Sequence, residues 1–206
     1  MAEKAKIIGI ARHRLSTDGD GVTTLVAFYG CPLRCKYCLN PQSIGDGSRF
    51  REYTPEELYA ETCIDELYFL ATNGGITFGG GEPCLYPKFI RKFREICGPS
   101  WRINLETSLN VSRYNINELL PFVNSFIIDI KDMNPDIYQD YTGKTNNLVL
   151  DNLRSIVKAG REQDCLIRLP LIPNFNTVAD RLKSQDILET LGFTNFDSFT
   201  YQKRLH

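Results

Sequence analysis

The sequence predicts an α/β fold, an incomplete (β/α)6 TIM-like barrel, and three observations point there. Strand-like runs rich in β-branched and aromatic residues alternate with segments of helical period about six times along the chain. The chain has 206 residues, short of the roughly 250 usual for a closed eight-unit barrel. Chemistry-bearing residues recur at or near the ends of the strand-like runs, where parallel α/β folds gather their sites. The length supports one sizeable core and is short for two, so a single domain over 1–206 is expected.

The elements follow in order. Val22 to Tyr29 is rich in Val, Thr and aromatic residues and reads as the first strand, delivering the chain into Cys31. A loop over 30–45 carries three cysteines. Thr54-Pro55-Glu56-Glu57 is a capping box with proline at the first helical position. The helix it opens runs to about Thr72, with Tyr59, Cys63, Leu67 and Leu70 as its inward stripe. Gly75 to Phe78 is a second strand, ending in Gly79-Gly80-Gly81-Glu82-Pro83, and a helix from Pro87 to Cys97 follows. Arg102 to Thr107 and Ser125 to Lys131 are the next strands, with a short helix near Ile116 to Leu120 between them. Helices over Pro135 to Tyr141 and Leu148 to Ala159 lead to a fifth strand, Cys165 to Ile172. A helix over Val178 to Leu191 and a strand over Phe196 to Tyr201 complete the pattern.

Formal charge is nearly balanced at −1, which gives no field directed at nucleic acid or an anionic membrane. No apolar run reaches transmembrane length and no signal-like region follows Met1. Seven cysteines, an odd number, suit a reducing compartment, and the cytoplasm is expected.

The cysteines of Gly30-Cys31-Pro32-Leu33-Arg34-Cys35-Lys36-Tyr37-Cys38-Leu39-Asn40 have the spacing Cys-x3-Cys-x2-Cys. Structural zinc takes four ligands, commonly in pairs, and no second pair exists: Cys63, Cys84, Cys97 and Cys165 are isolated, and His13 and His206 are the only histidines. A zinc-binding interaction domain remains the non-enzymatic alternative. Three thiolates otherwise hold three corners of a cubane iron–sulfur cluster and leave the fourth iron open to a ligand that is not protein. Cys63, Cys84, Cys97 and Cys165 are expected to be structural. Asp129 and Lys131 alternate along an apolar strand and should share a face, and Arg168 is a cation within another.

The cysteine run after the first strand, with Gly-Gly-Glu-Pro after the second, resembles the radical S-adenosylmethionine superfamily. Asp18-Gly19-Asp20-Gly21, Asp129-Ile130-Lys131 and Tyr141-Thr142-Gly143 are similar to motifs of its glycyl-radical-enzyme activases, of which the pyruvate formate-lyase activating enzyme type is best known. The likeness extends over roughly 7–202. It implies one [4Fe-4S] cluster on Cys31, Cys35 and Cys38, and S-adenosylmethionine cleaved reductively there. It further implies a 5′-deoxyadenosyl radical that takes a glycine Cα hydrogen from a partner glycyl-radical enzyme. Gly80, Gly81 and Glu82 would receive the methionyl end, with Glu82 on the ammonium, while Tyr37 would pack near adenine. Arg168 would meet the cofactor carboxylate, and Lys131 would lie beside cofactor and peptide. Glu106, Thr107 and Asp129 would hold Na+ or K+. A flavodoxin or ferredoxin would donate the electron, and the free protein would be a monomer.

Five departures stand out. Residues 39–78 contain only Cys63, so the ferredoxin-like insertion of many relatives is absent. Asp20 replaces a common proline, and Glu106 replaces a common aspartate. Ser108-Leu109-Asn110 replaces Asn-Gly, and Gln202 replaces a histidine. A 7-deazapurine synthase-like enzyme acting on a small molecule and an anaerobic ribonucleotide-reductase activase are the alternatives within the superfamily.

Overall fold

The computed structural model describes residues 3–15, 17–45 and 47–201; Gln202 lies outside the described residues. The strands are β1 (Ala5–Leu15), β2 (Val22–Phe28), β3 (Arg51–Tyr53), β4 (Gly75–Gly80), β5 (Arg102–Thr107), β6 (Ser125–Asp129), β7 (Cys165–Leu171) and β8 (Phe196–Thr200). They form one sheet in the order β3-β1-β2-β4-β5-β6-β7-β8. From β2 to β8 every neighbouring pair is parallel, and these are the six strands the sequence predicts. β1 and β3 extend the β2 edge antiparallel and escaped the sequence reading. Register shifts after Ile7 and Ala11 break the period-two pattern of β1, and β3 has only three residues.

The helices are α1 (Pro55–Thr62), α2 (Glu66–Thr72), α3 (Pro87–Cys97), α4 (Arg113–Leu119), α5 (Pro135–Thr142), α6 (Asn147–Lys158) and α7 (Val178–Thr190). Phe28 and Phe78 of neighbouring parallel strands meet edge-on at 5.4 Å and pack on Phe89 and Phe93 of α3. Trp101, fully buried, closes that layer against Phe69 at 4.9 Å. Each such side chain removed from water contributes on the order of 1.5–3 kcal/mol, so this aromatic layer fixes α3 to the sheet.

The single helix expected to Thr72 is two. A 3-10 turn at Cys63–Asp65 separates α1 from α2, and Asp65 accounts for the break. Its buried carboxylate accepts from Arg12 at 2.6 Å and from Thr24 Oγ1 at 2.8 Å, and His13 Nε2 lies 3.3 Å away. Turning Asp65 inward sets the phase of α2, so Phe69 is buried, whereas Leu67 and Leu70, expected inside, are 75% and 54% exposed. The capping box does form: Thr54 Oγ1 accepts from Glu57 N–H, and the Glu57 carboxylate accepts from Thr54 N–H.

The other sheet face is polar at its centre. Thr77 and Asn104, both buried, donate to the Asp18 carbonyl. The Asp18–Gly21 turn thereby folds against these inner residues. Gly19 has φ +118°, and a Cβ there would stand 2.3 Å from Asn104 Nδ2, so this turn requires glycine.

Candidate active site

At the carboxyl ends of the parallel strands lies a cavity of about 620 Å³, a size that suits a small-molecule cofactor. Cys31, Cys35 and Cys38 line one side of it, Gly80 and Gly81 another, and Glu106, Thr107, Asp129, Lys131 and Arg168 the rest.

The cysteine loop is held from two directions. Gly81 N–H donates to Phe28 O at 2.9 Å, Glu82 N–H to Gly30 O at 2.7 Å, and Gly30 N–H to Ser43 O at 2.7 Å. Asn40 Nδ2 donates to Gly80 O at 3.1 Å. On the opposite side, Arg34 N–H donates to Thr142 O at 2.9 Å and Lys36 N–H to Tyr141 O at 3.1 Å. Those carbonyls belong to the last turn of α5, where Gly143 enters the left-handed region at φ +73° and stops the helix. A helix end leaves carbonyls without intrahelical donors, and here the loop amides satisfy them. Tyr141-Thr142-Gly143 is thus a ledge for the cysteine loop.

Burial pushes the Cys31 thiol up to about 12, and the nearby Glu82 charge adds to the effect. Burial likewise raises Cys35 to about 11, with Lys131 opposing. Both are neutral thiols near pH 7 in the free chain, so a metal must displace their protons. Among the described residues, no three His, Cys, Asp or Glu side chains converge on a single-ion site. The three thiols line the same cavity, and three cysteine thiolates are a donor set that holds a cubane with one iron left open. The residues present therefore fit the cluster.

Across the cavity, Lys131 Nζ lies 2.5 Å from Asp129 Oδ2. Burial works against the ammonium, yet Asp129 and Cys35 outweigh it and raise the Lys131 pKa above 10.5. The other carboxylate oxygen, Asp129 Oδ1, is buried with no hydrogen-bond partner in a residue that lines the cavity. An acceptor left in that state calls for a donor from a ligand. β6 and β7 are in register at Asp129 and Arg168. Arg168 donates to Glu106 Oε1 and to the Thr17 carbonyl, and its Nε lies 3.7 Å from Asp197. Burial raises the Glu106 pKa, and Arg168 opposes the shift.

Three expectations require correction. Glu82 does not reach the cavity: it is fully buried, and its carboxylate accepts from Thr107 Oγ1 (2.7 Å), Ser108 N–H (3.0 Å), Ser108 Oγ (2.7 Å) and Cys84 N–H (3.2 Å). It ties the β4 turn to the end of β5. Tyr37 is not part of the cavity wall; its ring meets Phe175 at 5.5 Å and Tyr141 at 6.1 Å, and its carbonyl accepts from the Tyr201 hydroxyl. Glu106, Thr107 and Asp129 do not converge as a cation trio, because Arg168 occupies Glu106, Glu82 engages Thr107 and Lys131 holds Asp129. Cys84 and Cys165 are buried in the core, as expected. Sequence reasoning assigned no role to Asn40, Ser108, Asp197, Phe199 or the Tyr201 ring, all of which line the cavity; only their proximity to strand ends signalled them.

Asp129→Asn is expected to lower stability by about 3–5 kcal/mol, since it leaves a buried ammonium without its carboxylate; a urea titration reads this. Because the folded pKa of Lys131 is raised, the pair's contribution is complete below pH 10.5 and is lost only as pH rises through the higher folded value. The deficit of the variant should therefore be flat across neutral pH.

A parallel, partly closed α/β barrel with three thiols and buried charges at its carboxyl rim defines a cofactor-dependent enzyme. The family model of the radical SAM superfamily matches residues 25–182. The chain belongs to the radical SAM superfamily, which implies a [4Fe-4S] cluster and S-adenosylmethionine. Within it, its curated relatives include activating enzymes. The (2S)-3-sulfopropanediol dehydratase activating enzyme of Klebsiella oxytoca is 27% identical over 238 positions, covering 85% of this chain and 74% of that one. The pyruvate formate-lyase-activating enzyme of Clostridium pasteurianum is 34% identical over 146 positions, covering 69% of this chain and 60% of that one. This chain thus spans about three fifths to three quarters of their length. Among solved structures, Streptococcus suis SuiB bound to S-adenosylmethionine shares the fold at 11% identity, with a TM-score of 0.67 over 87% of this chain and 42% of SuiB. Among the described residues, no helix is long and apolar enough to cross a membrane.

Proposed function

We propose that this chain activates a glycyl-radical enzyme by removing a hydrogen atom from a glycine Cα of that partner. The observation that carries the reading is the cavity itself: three thiols on one wall face a buried, unpartnered Asp129 oxygen, at the rim of a barrel that is open along one side. When bound, the cluster and S-adenosylmethionine supply a low-potential electron and the hydrogen-abstracting 5′-deoxyadenosyl group. The chain's own residues bind and orient. Cys31, Cys35 and Cys38 hold iron; Gly80 and Gly81 bring backbone close to the methionyl end; Asp129 Oδ1 accepts from its ammonium. Arg168, which lines the same cavity, would meet the cofactor carboxylate. Lys131, held charged, stands where cofactor and peptide meet.

The relatives' names support the partner class, and so does the open side, which admits a polypeptide loop. Flavodoxin or ferredoxin is the electron donor in this reading, and the chain is one unit over 1–206, monomeric when free, in the cytoplasm. A near-zero net charge speaks for a protein substrate over nucleic acid.

The test is anaerobic mixing of reconstituted protein, reductant, S-adenosylmethionine and the glycyl-radical enzyme encoded nearest to its gene. A glycyl doublet in the EPR spectrum is expected. Formation of 5′-deoxyadenosine only with a small molecule, and no doublet with any co-encoded partner, would defeat the reading.

A further inference from the structure

The partly closed barrel has two edges. One is β8; the other is β1, which β3 covers only at Ala5, Lys6 and Ile7. Beyond Ile7 the register of β1 against β2 slips, and the lead-in to β3 at Arg49 and Phe50 no longer pairs with β1. A second cavity, about 340 Å³, opens at this divergence. Four consecutive β1 residues, Ile7 through Ile10, line it. Side chains on a strand alternate between faces, so four in succession reach one groove only if the groove runs along the backbone edge. The slot has the shape of a missing strand.

Its chemistry is cationic and partly apolar. Arg49 and Arg51 line the slot with Ile8 and Ile10, and the one acid in the wall, Glu61, is held by Arg12 at 3.2 Å and lies 4.0 Å from Arg51, so two cations share one carboxylate there. Arg51 lies over the Tyr53 ring at 4.4 Å, and Lys6 lies 4.6 Å from the Phe50 ring centre. Phe50 is itself 41% exposed. Uncovered strand edges in soluble proteins are normally blunted, because their free amides and carbonyls recruit another chain. This edge is flanked by two arginines, and its Ile7 end lies beside Phe28, at the end of β2 that leads into the cysteine loop.

We infer that the β1 edge from Ile8 onward takes an extended, acidic segment of the protein substrate as an added strand, with Arg49 and Arg51 reading its carboxylates. The inference rests on the proposed function for the identity of the substrate, and on the slot for the mode of docking. Backbone pairing supplies affinity, and the arginines supply steering and register. The end of such a strand nearest Ile8 would lie level with Ala27 and Phe28 of β2, the strand that leads into the cysteine loop.

The experiment pairs hydrogen exchange with kinetics, using reconstituted protein and the co-encoded glycyl-radical enzyme. Binding should slow exchange of β1 amides between Gly9 and Leu15. The R49E/R51E variant should raise the KM for the partner at least about tenfold while kcat stays within about twofold. R49K/R51K should recover most of the loss. Dithionite-driven cleavage of S-adenosylmethionine without partner should be unchanged in both variants, since neither arginine lines the cofactor cavity. A glycyl doublet formed with unaltered β1 exchange, or an R49E/R51E variant with wild-type KM, overturns the docking mode. Absence of the doublet with the unmodified protein overturns the functional reading itself.

Discussion

Cys35→Ala is expected to give a folded chain that retains no intact four-iron cluster and forms no measurable 5′-deoxyadenosine, a loss of at least about a thousandfold. Two thiolates cannot hold the three corners that leave one iron open for the cofactor, so the loss is chemical. The fold should survive: Cys35 is only half-buried at the core margin, and deleting a small side chain there costs about 1 kcal/mol. The backbone bonds that flank it, Arg34 N–H to Thr142 O and Lys36 N–H to Tyr141 O, do not involve the thiol. Cys63→Ala is the matched control. Cys63 sits in the turn between α1 and α2, away from the cavity, and its removal should leave iron content and activity intact. Iron per chain, absorbance near 400 nm and product chromatography measure all three quantities. Full iron loading in Cys35→Ala would contradict the assignment.

How far the site could be read from sequence depended on whether a residue's role was local. Cys31, Cys35 and Cys38 sit within one loop, so spacing alone carries their chemistry. Asp129 and Lys131 are two apart on one strand end, and alternation places them together. Glu82 was misread because its neighbours in sequence are glycine and proline, whereas its donors Thr107 and Ser108 arrive from the next strand. Tyr37 was misread for the same reason: Phe175 and Tyr201 reach it from the far end of the chain. Tyr141-Thr142-Gly143 was visible only as a likeness, and its work as a ledge under the cysteine loop needed the α5 carbonyls in space. In the fold, the six parallel strands were legible because each is a short run rich in β-branched and aromatic residues set between segments of helical period. β1 was not, since Gly9, Ala11 and two register shifts interrupt its pattern. The α2 stripe failed because one buried carboxylate, Asp65, sets the helix phase.

Gly81→Ala is expected to cost about 3 kcal/mol or more and to impair cluster loading as well. A Cβ at Gly81 would stand 2.2 Å from Gly30 O and 2.9 Å from Phe28 O. Both obstacles are backbone, so no side chain can rotate away. Those same carbonyls accept from Glu82 N–H and Gly81 N–H at 2.7 and 2.9 Å. Moving them apart adds roughly 1 kcal/mol per weakened bond to an overpacking cost of 1–3 kcal/mol. For a chain of this size the total lowers Tm by about 10 °C. Gly30 directly precedes Cys31, so displacement of its carbonyl is transmitted to the first thiol, and iron content at fixed protein should fall together with Tm. Gly9→Ala discriminates this from a general intolerance of added methyl groups: nothing lies within 4 Å of a Cβ there. Its Tm should stay within about 2 °C of the parent, the scale of a surface change. Equal Tm values for the two variants would show that the β4 turn does not brace the cysteine loop.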